Sequence, residues 1–249
     1  MWKSLLYRSW LETRSLFLWG SLLVLGTVSN SVLQGPKIMR AIEQQLPWMY
    51  MPFPRYLWET VYQGSLLATW TAFVVLLGLG GLRREHSSGI SAFTLSLPAR
   101  RRKFLQAQAV VALAEAMVMG FLPAVLVPAL SRLIGQMFAI EQALRYAVLL
   151  VGAGLVFYGW TVLLSHLTDG RLTALTISAS SIGALFLLVK TIRALDDFDI
   201  FDTMCGKDML DKHTFLLHGS LPWATLGVTL SIALGLVWLS MLLVERRDF

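Results

Sequence analysis

The chain has 249 residues, 56% of them hydrophobic and only 14% charged, with a mean hydropathy of +0.64. An ordinary soluble domain carries roughly 25% charged residues, so one of this length would lack the charge to cover its own surface. A single Cys and eight Pro exclude a disulfide-framed secreted fold and a collagen-like or low-complexity chain. Lipid is the solvent that suits this composition, and the class is an integral membrane protein.

The first residues, MWKSLLYRSWLETR, place Trp2, Leu6 and Trp10 at i, i+4 spacing with Arg8 and Glu12 roughly opposite. That pattern predicts a helix over residues 1–14 lying in the membrane interface, or else a frayed tail. No small-residue cleavage site is visible and the next apolar run is long enough to span, so the segment reads as retained. Six stretches then meet the requirement of about 20 mainly apolar residues. They are Ser15–Gln34, Thr60–Leu82, Phe104–Ser131, Tyr146–Leu167, Leu172–Val189 and Trp223–Val244, and Glu115 is the one charged residue inside them. The expected fold is all-α: a single polytopic transmembrane domain over residues 1–249.

Lys and Arg placement sets the expected orientation. With both termini cytosolic, the inner segments hold twelve of the 21 bases and five acids, a net +7. Nine bases and nine acids balance outside, and Glu115 completes the overall +6. The basic excess is thus a topology signal, and no nucleic-acid partner is expected.

Motifs for covalent chemistry do not occur. There is no GxxxxGK[ST] phosphate loop, and Gly206-Lys207 is followed by Asp208. HExxH, GxSxG and CxxC are missing too. None of His86, His166, His213 and His218 lies at mid-membrane depth, where a haem would need two imidazoles; His166 reads as an interfacial residue. No catalytic or metal-ligating residue is predicted.

The most informative segment is the first inner loop, Arg83–Lys103, which reads RREHSSGISAFTLSLPARRRK. Ser88–Leu97 predicts a short helix with Ile90, Phe93 and Leu97 on one face, started by Ser87 or Ser88 and stopped by Pro98. An apolar stripe there either docks in a groove of a partner protein or lies on lipid. Arg100–Lys103 then anchors the next span at the headgroups.

These residues carry a family resemblance. Glu85 and Gly89 after the second span, then Leu95-Ser96-Leu97-Pro98-Ala99-Arg100 before the third, resemble the E…G…L-x-x-P-[VI]-[ST]-R stretch of ABC-2-type permeases. Those are the membrane subunits of type-2 ABC exporters. Ala99, Arg101 and Arg102 depart mildly from the pattern, and the C-terminal Glu245–Phe249, ERRDF, is a frequent ending in that family. The topology resembles the family throughout, whereas the motif itself covers about twenty residues.

The resemblance implies six spans, an N-terminal interfacial helix and a coupling helix that inserts into a separate ATPase subunit. By position, Glu85, Gly89, Ile90, Phe93, Leu97, Pro98 and Arg100 would form the ATPase contact, with Ile90, Phe93 and Leu97 as buried anchors. It also implies short re-entrant helices between spans five and six. Lys190–Pro222 is long enough for them, with His218-Gly219-Ser220-Leu221-Pro222 as the turn back. A second permease subunit, identical or paralogous, would complete the pore in the bacterial inner membrane. ATP and Mg would be bound by the ATPase alone, with no cofactor on this chain. A lipidic, peptidic or drug-like cargo would suit its apolar walls.

Two further features read from the residues themselves. Glu115 lies 11 residues into the third span, about 16 Å deep, with Gln108 on the same face. A charge at that depth must face protein or water, or else be protonated, and the residue either lines a substrate path or bonds a neighbouring helix or protomer. Pro123 and Pro128 are expected to kink the same span. In the outer segment Asp196, Asp197, Asp199, Asp202, Asp208 and Asp211 read as a solvated acidic surface, since their spacing does not match a calcium loop. Cys205 beside them reads as a free thiol or an intermolecular partner.

Two rival functions fit the same composition. A stand-alone secondary transporter would show an inverted repeat and ion-coupling residues in interrupted spans, and no repeat is visible. A non-transporting scaffold or immunity protein would need no docking helix.

Overall fold

The computed structural model describes residues 2–45, 51–79, 101–168, 170–192 and 199–246. Six long helices and one short one account for most of them: α1 (Trp2–Gln45), α2 (Phe53–Gly78), α3 (Arg101–Leu133), α4 (Ile140–Leu167), α5 (Arg171–Thr191), the short α6 (Ile200–Cys205) and α7 (Trp223–Arg246). No strand occurs among the described residues. All six long helices have the length and hydropathy to cross a membrane, which makes the chain a multi-pass membrane protein. Six crossings return the chain to the face it started from. That face is the terminal face, and the described connecting residues 51–52, 134–139 and 199–222 belong to the opposite, distal face.

The bundle is organised around α4. Its apolar stretch is 83% buried, against 17% for those of α1 and α5, and α2, α3, α5, α6 and α7 all pack on it. Lipid tails give helices no hydrophobic reason to associate, so close approach at small residues has to do so. α4 supplies such residues on several sides. A Cβ at Gly159 would lie 2.7 Å from the Ala233 carbonyl oxygen of α7, and one at Gly154 would lie 2.3 Å from the Trp70 ring of α2. Thr229 of α7 also donates to the Gly152 carbonyl, at 3.1 Å.

α1 departs from the expected division into an interfacial helix and a span. Residues 2–45 form one helix of 44 residues, about 66 Å at 1.5 Å per residue. No boundary falls near residue 14. The reason lies in what the segment packs against, which is α3 running parallel to it. The buried stripe is Leu5, Ser9 and Thr13 and continues through Val24, Val28 and Val32, whereas Trp2 and Trp10 are exposed. Leu5 meets Phe104 and Ala107 in a small cluster, and the Arg8 guanidinium lies 5.5 Å over the Phe104 ring.

α2 begins at Phe53, seven residues earlier than expected, and its Trp58–Leu66 stretch winds as a π-helix. Its wide turn buries Trp58, Val61, Tyr62 and Leu66 together, and Tyr62 stacks on Tyr146 of α4 at 3.9 Å. Pro123 and Pro128 both sit inside α3, which remains one continuous helix.

The α4–α7 contact admits a direct test. Gly159→Ala drives a methyl into fixed backbone, so a loss of about 1–3 kcal/mol is expected. Gly235→Ala, on α7 with nothing within 4 Å of its added Cβ, should leave stability unchanged. Thermal unfolding of the two variants in one detergent measures the difference.

Candidate functional site

Most of the predicted site, Glu85, Gly89, Ile90, Phe93, Leu97, Pro98 and Arg100, lies outside the described residues. The other two, Gln108 and Glu115, are both buried on α3. They belong to a polar seam that runs through the terminal half of the bundle.

Glu115 sits where α1 passes α3. Thr13, one of the stripe residues on α1, donates its hydroxyl to Glu115 Oε1 while also lying within reach of the Ser9 carbonyl. Glu115 Oε2 and the Ser9 hydroxyl are buried with no hydrogen-bond partner among the described residues. Gln108, two turns earlier on the same face, points toward α4 and α7. It lines a cavity of about 20 Å³ with Tyr158, His166 and Ser240, enough room for one water. His166 holds its ring through Nδ1, which lies 2.7 Å from the Val162 carbonyl and therefore donates to it. The interhelix hydrogen bond expected as one role of Glu115 is present, and its partner is α1 of the same chain. Sequence reading missed Ser9 and Thr13 because small hydroxyl side chains carry little weight beside Trp2, Leu6 and Trp10.

A second polar cluster closes the distal face, where an acidic surface was expected. Asp199 and Asp202 are buried. Asp199 caps α6 by accepting from the amides of Phe201 and Asp202, at 2.8 and 3.1 Å. Its other oxygen receives Lys190 from the end of α5 at 2.6 Å, and Asp202 takes both Lys190 and Lys207. Burial alone would raise the Asp202 carboxyl, but hydrogen bonds and charge from Lys190 and Lys207 outweigh it and hold the group below the ordinary carboxylate range. Among the described residues no three His, Cys, Asp or Glu side chains are arranged to hold a metal ion.

α6 itself is wedged into the bundle. Phe201 packs between Phe157 and Phe186, and Met204 reaches Gly154 and the Trp70 ring. Trp58 Nε1 donates to the Cys205 carbonyl at 2.9 Å. Gly206, at φ 68°, ends the helix in the left-handed region that glycine tolerates best. The Cys205 thiol is buried too, and burial foremost pushes it up to about 12. It is a packed core thiol and free, the first of the two expected readings, while its burial speaks against pairing between chains. The returning loop is pinned by Gln142, which donates to the Leu217 carbonyl and accepts from the Leu217 amide. Arg145 does the same for the predicted turn by donating to the Gly219 carbonyl.

No protein-family model matches the chain, nor does any curated protein or solved structure.

Two outcomes follow from these clusters. Thr13→Val should destabilise the chain by about 1–2 kcal/mol, because it strips a buried carboxyl oxygen of its donor. Adding Glu115→Leu should restore part of that loss, so a double-mutant cycle in detergent reads the pair directly. For Asp202 the sign is set by its depressed folded pKa. Its contribution is complete above the ordinary carboxylate range and fades as pH falls through the lowered value. The gap in melting temperature between the unmodified chain and Asp202→Asn should therefore hold through neutral and mildly acidic pH and close only in strong acid.

Proposed function

We propose that this chain is the membrane-spanning permease subunit of an ATP-driven exporter of the ABC-2 type. The observation that carries the reading is the segment Arg83–Lys103, an apolar stripe of Ile90, Phe93 and Leu97 between Glu85 and four consecutive bases. Such a stripe on a short loop suits insertion into a groove of a partner ATPase. The chain would supply gating and passage, and the partner would bind ATP and Mg.

Three structural features support the reading. The six long helices match the number of spans the resemblance implies. The segment between the fifth and sixth holds a short helix, α6, embedded beside α2 and α4, in keeping with a re-entrant closure of the outer side. α1 and α5 are largely unburied within the chain, and Gly26 and Gly183 on them meet nothing within 4 Å. In lipid, small residues on a helix face suit contact with another helix, here a second permease subunit. On this reading the terminal face is cytosolic.

The test is copurification with an ATPase. The unmodified chain should retain a nucleotide-binding subunit through mild solubilisation and support its vanadate-sensitive ATP hydrolysis. Phe93→Asp should lose both while still inserting and eluting as a folded protein. Full ATPase binding and activity with Phe93→Asp would overturn the coupling assignment.

A further inference from the structure

We propose that Lys190, Asp199, Asp202 and Lys207 form a releasable catch that holds α6 in the bundle, so that the distal end opens only when the catch breaks. What opening accomplishes rests on the permease reading, whereas the catch itself is a property of this chain alone.

α6 has six residues and is far too short to be stable by itself. Its position depends on what grips it. On the bundle side the grip is packing by Phe201 and Met204 and the bond from Trp58 to the Cys205 carbonyl. On the distal side it is the four charges, which tie its first turn back to the end of α5 through Lys190 and forward to the following turn through Lys207.

The exposure of those charges is unequal. The Lys190 and Lys207 side chains are 35% and 49% exposed, but Asp199 and Asp202 are 2% and 10%. The lysines can therefore trade the carboxylates for water with little penalty. The carboxylates cannot stay behind, because a buried charge that loses its partner is strongly unfavourable. Release of the lysines expels Asp199 and Asp202, and with them the cap and first turn of α6. Partial opening is disfavoured, so the element has two positions. Asp202 makes them cooperative, since both lysines converge on it.

Cys205 provides the readout. It is the only cysteine in the chain and is 1% exposed on α6. A polar maleimide, added to the full chain in lipid nanodiscs, should label it at a rate set by the open population. The unmodified chain should react slowly. Asp202→Asn and Asp199→Asn should each accelerate labelling about tenfold or more, the second while keeping an amide oxygen able to cap α6. Lys207→Gln should give a smaller increase, and Asp202→Glu should restore much of the protection. Asp211→Asn, an acid outside the catch that bonds Thr214 and the His213 amide, should label like the unmodified chain.

Unchanged labelling in both Asp199→Asn and Asp202→Asn would overturn the catch and leave α6 held by packing alone. Should Asp202→Asn fail to fold, judged by elution and melting profile, Asp199→Asn and Lys207→Gln decide the matter. None of these readings requires an ATPase. A failed copurification with Phe93 intact would count against the permease, and the labelling series would still stand or fall alone.

Discussion

A helix bundle in lipid lacks the force that closes a soluble core, and this chain meets the difficulty at α4. Five other elements pack on that helix, and three of them, α2, α6 and α7, reach it at its glycines. At Gly159 the α7 backbone comes so near that no side chain would fit, and at Gly154 the Trp70 ring and the Met204 methyl occupy the missing Cβ's place. Each approach wins dispersion contacts along the whole interface, and these are what association in lipid has available. The burial of α4 and the exposure of α1 and α5 are two sides of one arrangement. A helix that serves as the hub spends its small residues inward, and the outer helices keep faces that the chain does not cover.

Polar contacts then fix the register that packing leaves loose. Thr13 and Glu115 set α1 against α3, Thr229 sets α7 against α4, and Gln142 sets the distal loop against α4. All are single hydrogen bonds or amide pairs between elements that would otherwise slide on apolar surface. Hydroxyl and amide groups at membrane depth have few alternative partners, so position is specified more sharply than stability. The four charges at α6 differ in kind, because their lysines stand half in solvent and can leave.

The spans were legible in the amino-acid sequence because hydropathy is a local sum, and a window of about 20 residues contains all of it. Glu115 was legible for the same reason, as one charge inside such a window. What local reading missed depends on residues far apart. Asp199 and Asp202 look like members of a solvated acidic run until Lys190 and Lys207 are brought to them. Trp2, Leu6 and Trp10 dominate any measure of amphipathicity over residues 1–14, yet the buried edge is Leu5, Ser9 and Thr13. That edge is chosen by α3, whose own polar residue at 115 needs a donor. The π-helix over Trp58–Leu66 likewise has no local signature, since its turn suits Tyr62 on Tyr146 and Trp58 on the Cys205 carbonyl.

The two polar clusters are joined by Trp70. From the distal catch, α6 reaches inward by two residues to Met204, which shares the hollow over Gly154 with the Trp70 ring. Trp70 Nε1 donates to the carbonyl of Ala116, the neighbour of Glu115, and Glu115 accepts from Thr13 on α1. The contacts run without a break from Met204 to Thr13. Their mechanical content lies in the lack of slack at Gly154, where a ring and a methyl fill the volume that one more carbon would need. If α6 withdraws, Met204 vacates that hollow and the indole loses one of its walls. A void at mid-bundle is unfavourable, so the ring must follow or the space must fill. A ring that follows bears on the Ala116 carbonyl, and so on α3, whose first residues are the last bases of Arg83–Lys103.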